Sequence, residues 1–132
     1  MSTFSRVLRS VSLVAVIAGV APSIASAACE SYNNNCVLYA RCRVPSLPYG
    51  LNTIQDKRRI INTQVPSVGC VAIHNLGTTE GHVSVVTNVR VVQRNGQTVY
   101  SVTIQEGNYP LGKIGTRFGN ASELNIVGYF KP

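Results

Sequence analysis

The chain contains no glycine-rich phosphate loop and no basic run interleaved with aromatics, which sets aside nucleotide and nucleic-acid work. None of its four cysteines or two histidines forms a C-x-x-C or H-x-x-x-H pair, so a zinc site built from His74, His82 and cysteines lacks the usual spacing. No metal or other cofactor is expected. Internal repeats, low-complexity tracts and linkers are also missing. Acidic residues are scarce, five against twelve Lys and Arg, for a formal net charge of +7. That excess suits either anionic envelope polymers or plain solubility, and dispersed cations do not choose between them.

Only one long apolar run is present, and it is N-terminal. Arg6 and Arg9 precede the stretch Val11 to Val20, and Ala25-Ser26-Ala27 follows as a small-residue cleavage signal. The pattern predicts a signal peptide over residues 1–27, cut near Ala27, with export to the periplasm or the extracellular space. The run is short for a bilayer span and no second one follows, so no stable membrane insertion is expected. Removing 27 of 132 residues leaves 105, enough for one core and one domain over 28–132, and takes away two basic charges, leaving +5.

What remains carries chemistry-bearing side chains in a suggestive order. Cys36 follows Asn33-Asn34-Asn35 and opens the helix-forming run Cys36 to Arg43, which Pro45 and Pro48 end. A thiol in the first turn of a helix meets unpaired N–H groups and the positive end of the dipole, which favour the reactive thiolate. A second helix is predicted from Thr53 to Ile61, with Asp56 completing a capping-box pattern and Lys57-Arg58-Arg59 on a solvated face or holding an anionic polymer.

After Pro66 β-branched residues and period-two alternation take over, which points to antiparallel sheet and an α+β fold. Strands are expected at Val68–His74, His82–Arg94, Gln97–Glu106 and Leu124–Phe130. The segment from Gly107 to Gly119 reads as loop with a short strand near Ile114. Asn95-Gly96 is a strong hairpin signal, since both central positions of a type I′ turn need positive φ. Pairing Arg94 with Gln97 puts Val85 opposite Glu106 and His82 near Tyr109, unless a bulge shifts the register. In that reading Val83, Val85, Thr87 and Val89 form the core face and His82 heads the polar one. His74 is read as a strand-end cap.

Cys36, His82 and the Glu106 to Asn108 stretch thus supply a nucleophile, a base and a group to orient the base. Asn33, Asn34 and Asn35 are candidates for an oxyanion donor beside the Cys36 backbone N–H. Four cysteines in an exported chain also suit a disulfide framework, with Cys36 bridged to Cys29 or Cys42. If Cys36 stays free, only two of the other three can pair. Cys29 with Cys42 is the preferred choice, and Cys70, in an apolar run, is then a buried thiol.

Five segments together resemble a known family, the CHAP domains (cysteine, histidine-dependent amidohydrolases and peptidases) of the papain-like group. Asn35-Cys36-Val37-Leu38-Tyr39-Ala40-Arg41 is similar to its nucleophile segment, and Pro66 to Ile73 to the strand that opens its sheet. Gly81-His82-Val83-Ser84-Val85-Val86 is similar to its histidine motif and Gln105-Glu106-Gly107-Asn108-Tyr109 to its Glu-x-Asn motif. Ile126 to Pro132 looks like the usual ending. The resemblance implies short helices packed on an antiparallel sheet and hydrolysis of amide bonds in peptidoglycan peptides. Catalysis would fall to Cys36 and His82, with Glu106 or Asn108 orienting the imidazole. A monomer acting on peptidoglycan is expected, and because no targeting module is read in the chain, a secretion or envelope assembly is expected as a further partner. Two rival readings are a non-catalytic envelope-binding or structural module on the same fold, with Cys36 oxidised, and a secreted cysteine peptidase directed at proteins.

Overall fold

Local capping decides where the helices begin. The structure, a computed structural model, describes residues 28–132, so the expected signal peptide lies outside the described residues. Asn35 has extended backbone (φ −148°), and its Oδ1 accepts the N–H groups of Val37 and Leu38, both at 3.0 Å. That satisfies two donors of the first turn and starts helix α1, Cys36–Arg43. A short 3-10 turn, Glu30–Tyr32, precedes it, and the Cys29–Cys42 disulfide ties the chain start to the last turn of α1. Thr53 and Asp56 form the predicted capping box: Asp56 N–H donates to Thr53 Oγ1 at 3.1 Å and Thr53 N–H to Asp56 Oδ2 at 3.0 Å. Helix α2 covers Ile54–Arg59 and so stops short of Ile61.

The remainder is one five-stranded sheet: β1 (Val71–His74), β2 (His82–Arg94), β3 (Gln97–Gly107), β4 (Ile114–Asn120) and β5 (Ile126–Phe130). Strand order is β4-β3-β2-β1-β5 and every pairing is antiparallel. At the β2–β3 turn Asn95 has φ 51° and Gly96 φ 75°, as a type I′ hairpin requires. The α+β architecture, with short helices against an antiparallel sheet, is as expected. Strand β4 is a correction, because a full seven-residue strand occupies most of what read as loop. Strands β1 and β5 also begin later than expected, at Val71 and Ile126.

Both faces of the sheet are buried at the start of β2, where His82 to Val86 are all inaccessible. On one face Val83, Val85, Val71 and Ile73 pack with Tyr39, Ala40, Leu47 and Ile54 of the helical layer. The other buries Ala72, Val86, Val102, Ile104, Leu124 and Tyr129. The expectation of one polar face headed by His82 is therefore corrected. The period-two pattern also breaks inside β2. Arg94 pairs with Gln97 and Asn88 with Thr103, but Val86 pairs with Ile104 and Val85 with Gln105. Thr87 is the extra residue, and its hydroxyl donates to the Thr103 carbonyl at 3.2 Å. Val89 accordingly packs with the Val86 face rather than with Val83 and Val85.

That single insertion matters for chemistry. Without it Val85 would oppose Glu106 and the carboxylate would lie on the face opposite His82. With it Gln105 takes that place, and Glu106 shares the face of Ser84 and His82.

Candidate active site

Cys36 and Cys70 are the free cysteines, the other two being joined to each other. Cys36 is half-buried at the first position of α1, while Cys70 is buried with Ser67 Oγ 3.0 Å from its sulfur. Burial alone raises the Cys36 pKa. The hydrogen bond and charge of His82, the Val83 backbone and the Lys57 ammonium outweigh it, and the thiol ends below its ordinary 9.0.

His82, the first residue of β2, connects this thiol to a buried carboxylate. Its Nε2–H donates to Glu106 Oε1 at 2.7 Å, and Cys36 acts on the same ring. Burial lowers the imidazole pKa, but hydrogen bonds to Cys36 and Glu106 reverse this and carry it to about 8. Glu106 is fully inaccessible at the end of β3. Its second anchor is Arg117 of β4, whose Nε donates to Oε2 at 2.7 Å and whose Nη2 donates to Oε1 at 2.9 Å. Burial raises the Glu106 pKa, yet Arg117 and His82 hold it below the usual carboxylate range. Arg117 also stacks over Tyr109, 3.9 Å from the ring centroid, and the Tyr109 ring lies 5.5 Å from that of His82. Gly107 allows α1 and β3 to approach closely beside this network. A methyl there would lie 2.7 Å from Tyr39 Cβ and 2.8 Å from the Tyr32 carbonyl oxygen.

The structure separates the two candidate orienters. Glu106 holds the imidazole, whereas Asn108 sits at φ 62° and its Oδ1 accepts the Gly112 N–H at 2.8 Å, which braces the β3–β4 turn. Asn108 nevertheless lines the same cleft as Cys36 and His82. Of the three asparagines ahead of the helix, Asn34 and Asn35 line the cleft, and Asn33 follows the 3-10 turn as its C-cap. Asn35 Oδ1 is committed to capping Val37 and Leu38, which leaves the Cys36 N–H as the first-turn donor that the cap does not use.

The cleft has a volume of about 540 Å³, and Arg41, Tyr49, Lys57 and Glu80 also line it. Lys57 corrects the expectation of a solvated basic face: Arg58 and Arg59 are exposed, but Lys57 is buried. Its Nζ donates to the carbonyls of Leu51 at 2.9 Å and Glu80 at 2.7 Å. His74 is at the strand end, as expected, but fully buried. Its Nδ1–H donates to the Leu124 carbonyl at 2.7 Å, and its Nε2 accepts the Ser84 hydroxyl at 2.7 Å. Burial lowers its pKa to about 4, so it stays neutral 5.3 Å from the His82 ring.

Arg117 is the functional residue that sequence reasoning missed, since it lies on the strand taken for loop. The cue was register: β3 pairs Glu106 with Gly115, so an arginine two residues along β4 reaches the carboxylate on the same face. Among the described residues no group of three or more His, Cys, Asp or Glu is placed to hold a metal ion. No family model, curated protein or solved structure matches this chain.

Proposed function

We propose that this chain is an exported cysteine amidohydrolase or endopeptidase that cuts amide bonds in peptidoglycan peptides, with Cys36 as nucleophile, His82 as acid and base, and Glu106 as orienter. One observation carries the reading. Cys36 remains a free thiol lining the same cleft as His82, although two other cysteines lie within seven residues of it and are bridged to each other. The disulfide suits an oxidising compartment, which supports export, and the resemblance of the nucleophile, histidine and Glu-x-Asn segments to CHAP domains supports the substrate class.

The geometry supports the following reaction. His82 takes the Cys36 proton and forms an imidazolium stabilised by the Glu106 carboxylate. The thiolate attacks the scissile carbonyl, and the Cys36 N–H at the helix start stabilises the oxyanion. His82 then protonates the leaving amine, and in the second half it deprotonates the water that hydrolyses the thioester.

Two measurements test this. Alkylation under native conditions should label Cys36 rapidly, and a bridged Cys36 would favour a non-catalytic module instead. Incubation with purified sacculi should release peptide fragments identifiable by mass, and Cys36→Ala should abolish the release. Cleavage of casein with sacculi left intact would move the assignment to a protein-directed peptidase.

A further inference from the structure

Two cations are built into the cleft wall, and among the described ion pairs neither has a carboxylate partner. Lys57 is 2% exposed, and its ammonium is held by the Leu51 and Glu80 carbonyls. An ammonium has three N–H donors, so two carbonyls leave one of them for the cleft that Lys57 lines. Arg41 is held as firmly. Its Nε donates to the Leu47 carbonyl at 3.3 Å and its Nη2 to the Pro48 carbonyl at 2.7 Å, while the guanidinium lies 4.3 Å from the centroid of the Tyr49 ring. Tyr49 is 84% exposed and forms the outer wall. Glu80 is the acidic residue among those lining the cleft, and its side chain is at the exposed rim.

Fixed cations of this kind have already lost their conformational freedom and part of their hydration, so an arriving anion meets little ordering cost. Lys57 is balanced in part by Cys36 when its sulfur is ionised and by the Asp56 and Glu80 carboxylates. Acylation of the sulfur removes the first of these, and a carboxylate on the bound peptide then replaces it for as long as the acyl-enzyme lasts.

We propose that Lys57 and Arg41 form a carboxylate subsite which selects peptides carrying a free carboxylate close to the scissile bond. This deepens the proposed function and rests on Cys36 being the nucleophile. In peptidoglycan peptides the recognised group is then a free acid of a stem residue, and its amidated form is a poorer substrate.

The test compares alkylation of Cys36 by iodoacetate and iodoacetamide, reagents that differ in one carboxylate, with the label located by peptide mass. A cleft lined by fixed charge of one sign raises local counter-ion concentration, so the iodoacetate to iodoacetamide rate ratio should exceed that of the urea-unfolded protein by about tenfold. Because the His82 imidazolium also attracts anions, the variants decide. Arg41→Gln and Lys57→Met should each lower the ratio several-fold, and Arg41→Lys should largely restore it. Circular dichroism of each variant establishes that it is folded, and a Lys57→Met chain that fails to fold leaves Arg41→Gln as the deciding case. A ratio unchanged in folded Arg41→Gln overturns the subsite. The readout needs no turnover, so intact sacculi with a high ratio would refute the hydrolase alone, and digestion with a flat ratio would refute the subsite alone.

Discussion

Replacing Glu106 by Gln keeps the shape of the site and removes the charge on which it is organised. His82 has an ordinary pKa of 6.5 and reaches about 8 in the fold, so the folded state binds the imidazolium more tightly than the unfolded chain does. Raising this pKa from 6.5 to about 8 corresponds to about 2 kcal/mol of stability. Because the folded pKa is the higher one, that stability is fully present below pH 6.5 and is lost as pH rises through about 8. In Glu106→Gln the carboxylate that favours the imidazolium is gone, burial still opposes it, and only Cys36 still favours it. The His82 pKa should fall well below about 8.

The second consequence is structural. Breaking a buried ion pair from one side typically costs about 3–5 kcal/mol, and the partial exposure of the Arg117 side chain, 25%, puts the expected loss near the lower end. Histidine ring resonances followed by NMR against pH give the pKa directly. The two rings are easily told apart, since His74 is held near 4 and His82 near 8. Urea unfolding gives the stability. Adding Arg117→Met to Glu106→Gln should recover part of the stability, because no guanidinium is then left unpaired, without returning His82 to about 8. A His82 pKa that stays near 8 in Glu106→Gln would refute the role assigned to the carboxylate.

Two further outcomes follow from local structure. The Cys29–Cys42 bridge closes a loop with a sequence separation of 13, so replacing both cysteines by serine should cost about 3 kcal/mol in urea unfolding and leave Cys36 alkylation intact. Asn35→Ala removes the cap of α1 and should cost about 1 kcal/mol, whereas Asn33→Ala, outside the cap, should leave stability within about 0.5 kcal/mol of the parent.

Elements with strong local signals were legible in the sequence: the Asn35 cap, the Thr53–Asp56 capping box and the Asn95-Gly96 hairpin. Cys36, His82 and Glu106, named from the helix start, the hairpin and the CHAP resemblance, come together, with His82 hydrogen-bonded to Glu106 and sharing a cleft with Cys36. Features set by tertiary pairing were hidden. Strand β4 contains Gly115, Arg117 and Gly119, which weaken its β propensity, and it is held by the neighbouring β3 rather than by its own composition. Lys57 looks like its exposed neighbours in a basic run, and only the Leu51 and Glu80 carbonyls mark it as buried. The Thr87 bulge leaves no trace in the alternation of Val83, Val85, Thr87 and Val89, because valine and threonine suit either face.

The bulge also links the fold to the chemistry more tightly than the motifs do. A chain with five acidic residues places Glu106 at zero exposure, although burying a carboxylate costs several kcal/mol before any partner is supplied. Arg117 and His82 offset that cost, but an apolar residue in a buried ion pair is often at least as stable, so stability is a weak reason for the carboxylate. What an apolar side chain does not do is raise the basicity of His82. When Cys36 is ionised, charge alternates from its thiolate through the His82 imidazolium and the Glu106 carboxylate to the Arg117 guanidinium, so each member favours the charged form of the next. The one-residue insertion at Thr87 is what puts the carboxylate on the face where that alternation forms, which makes an irregularity of the sheet a condition of the proposed reaction.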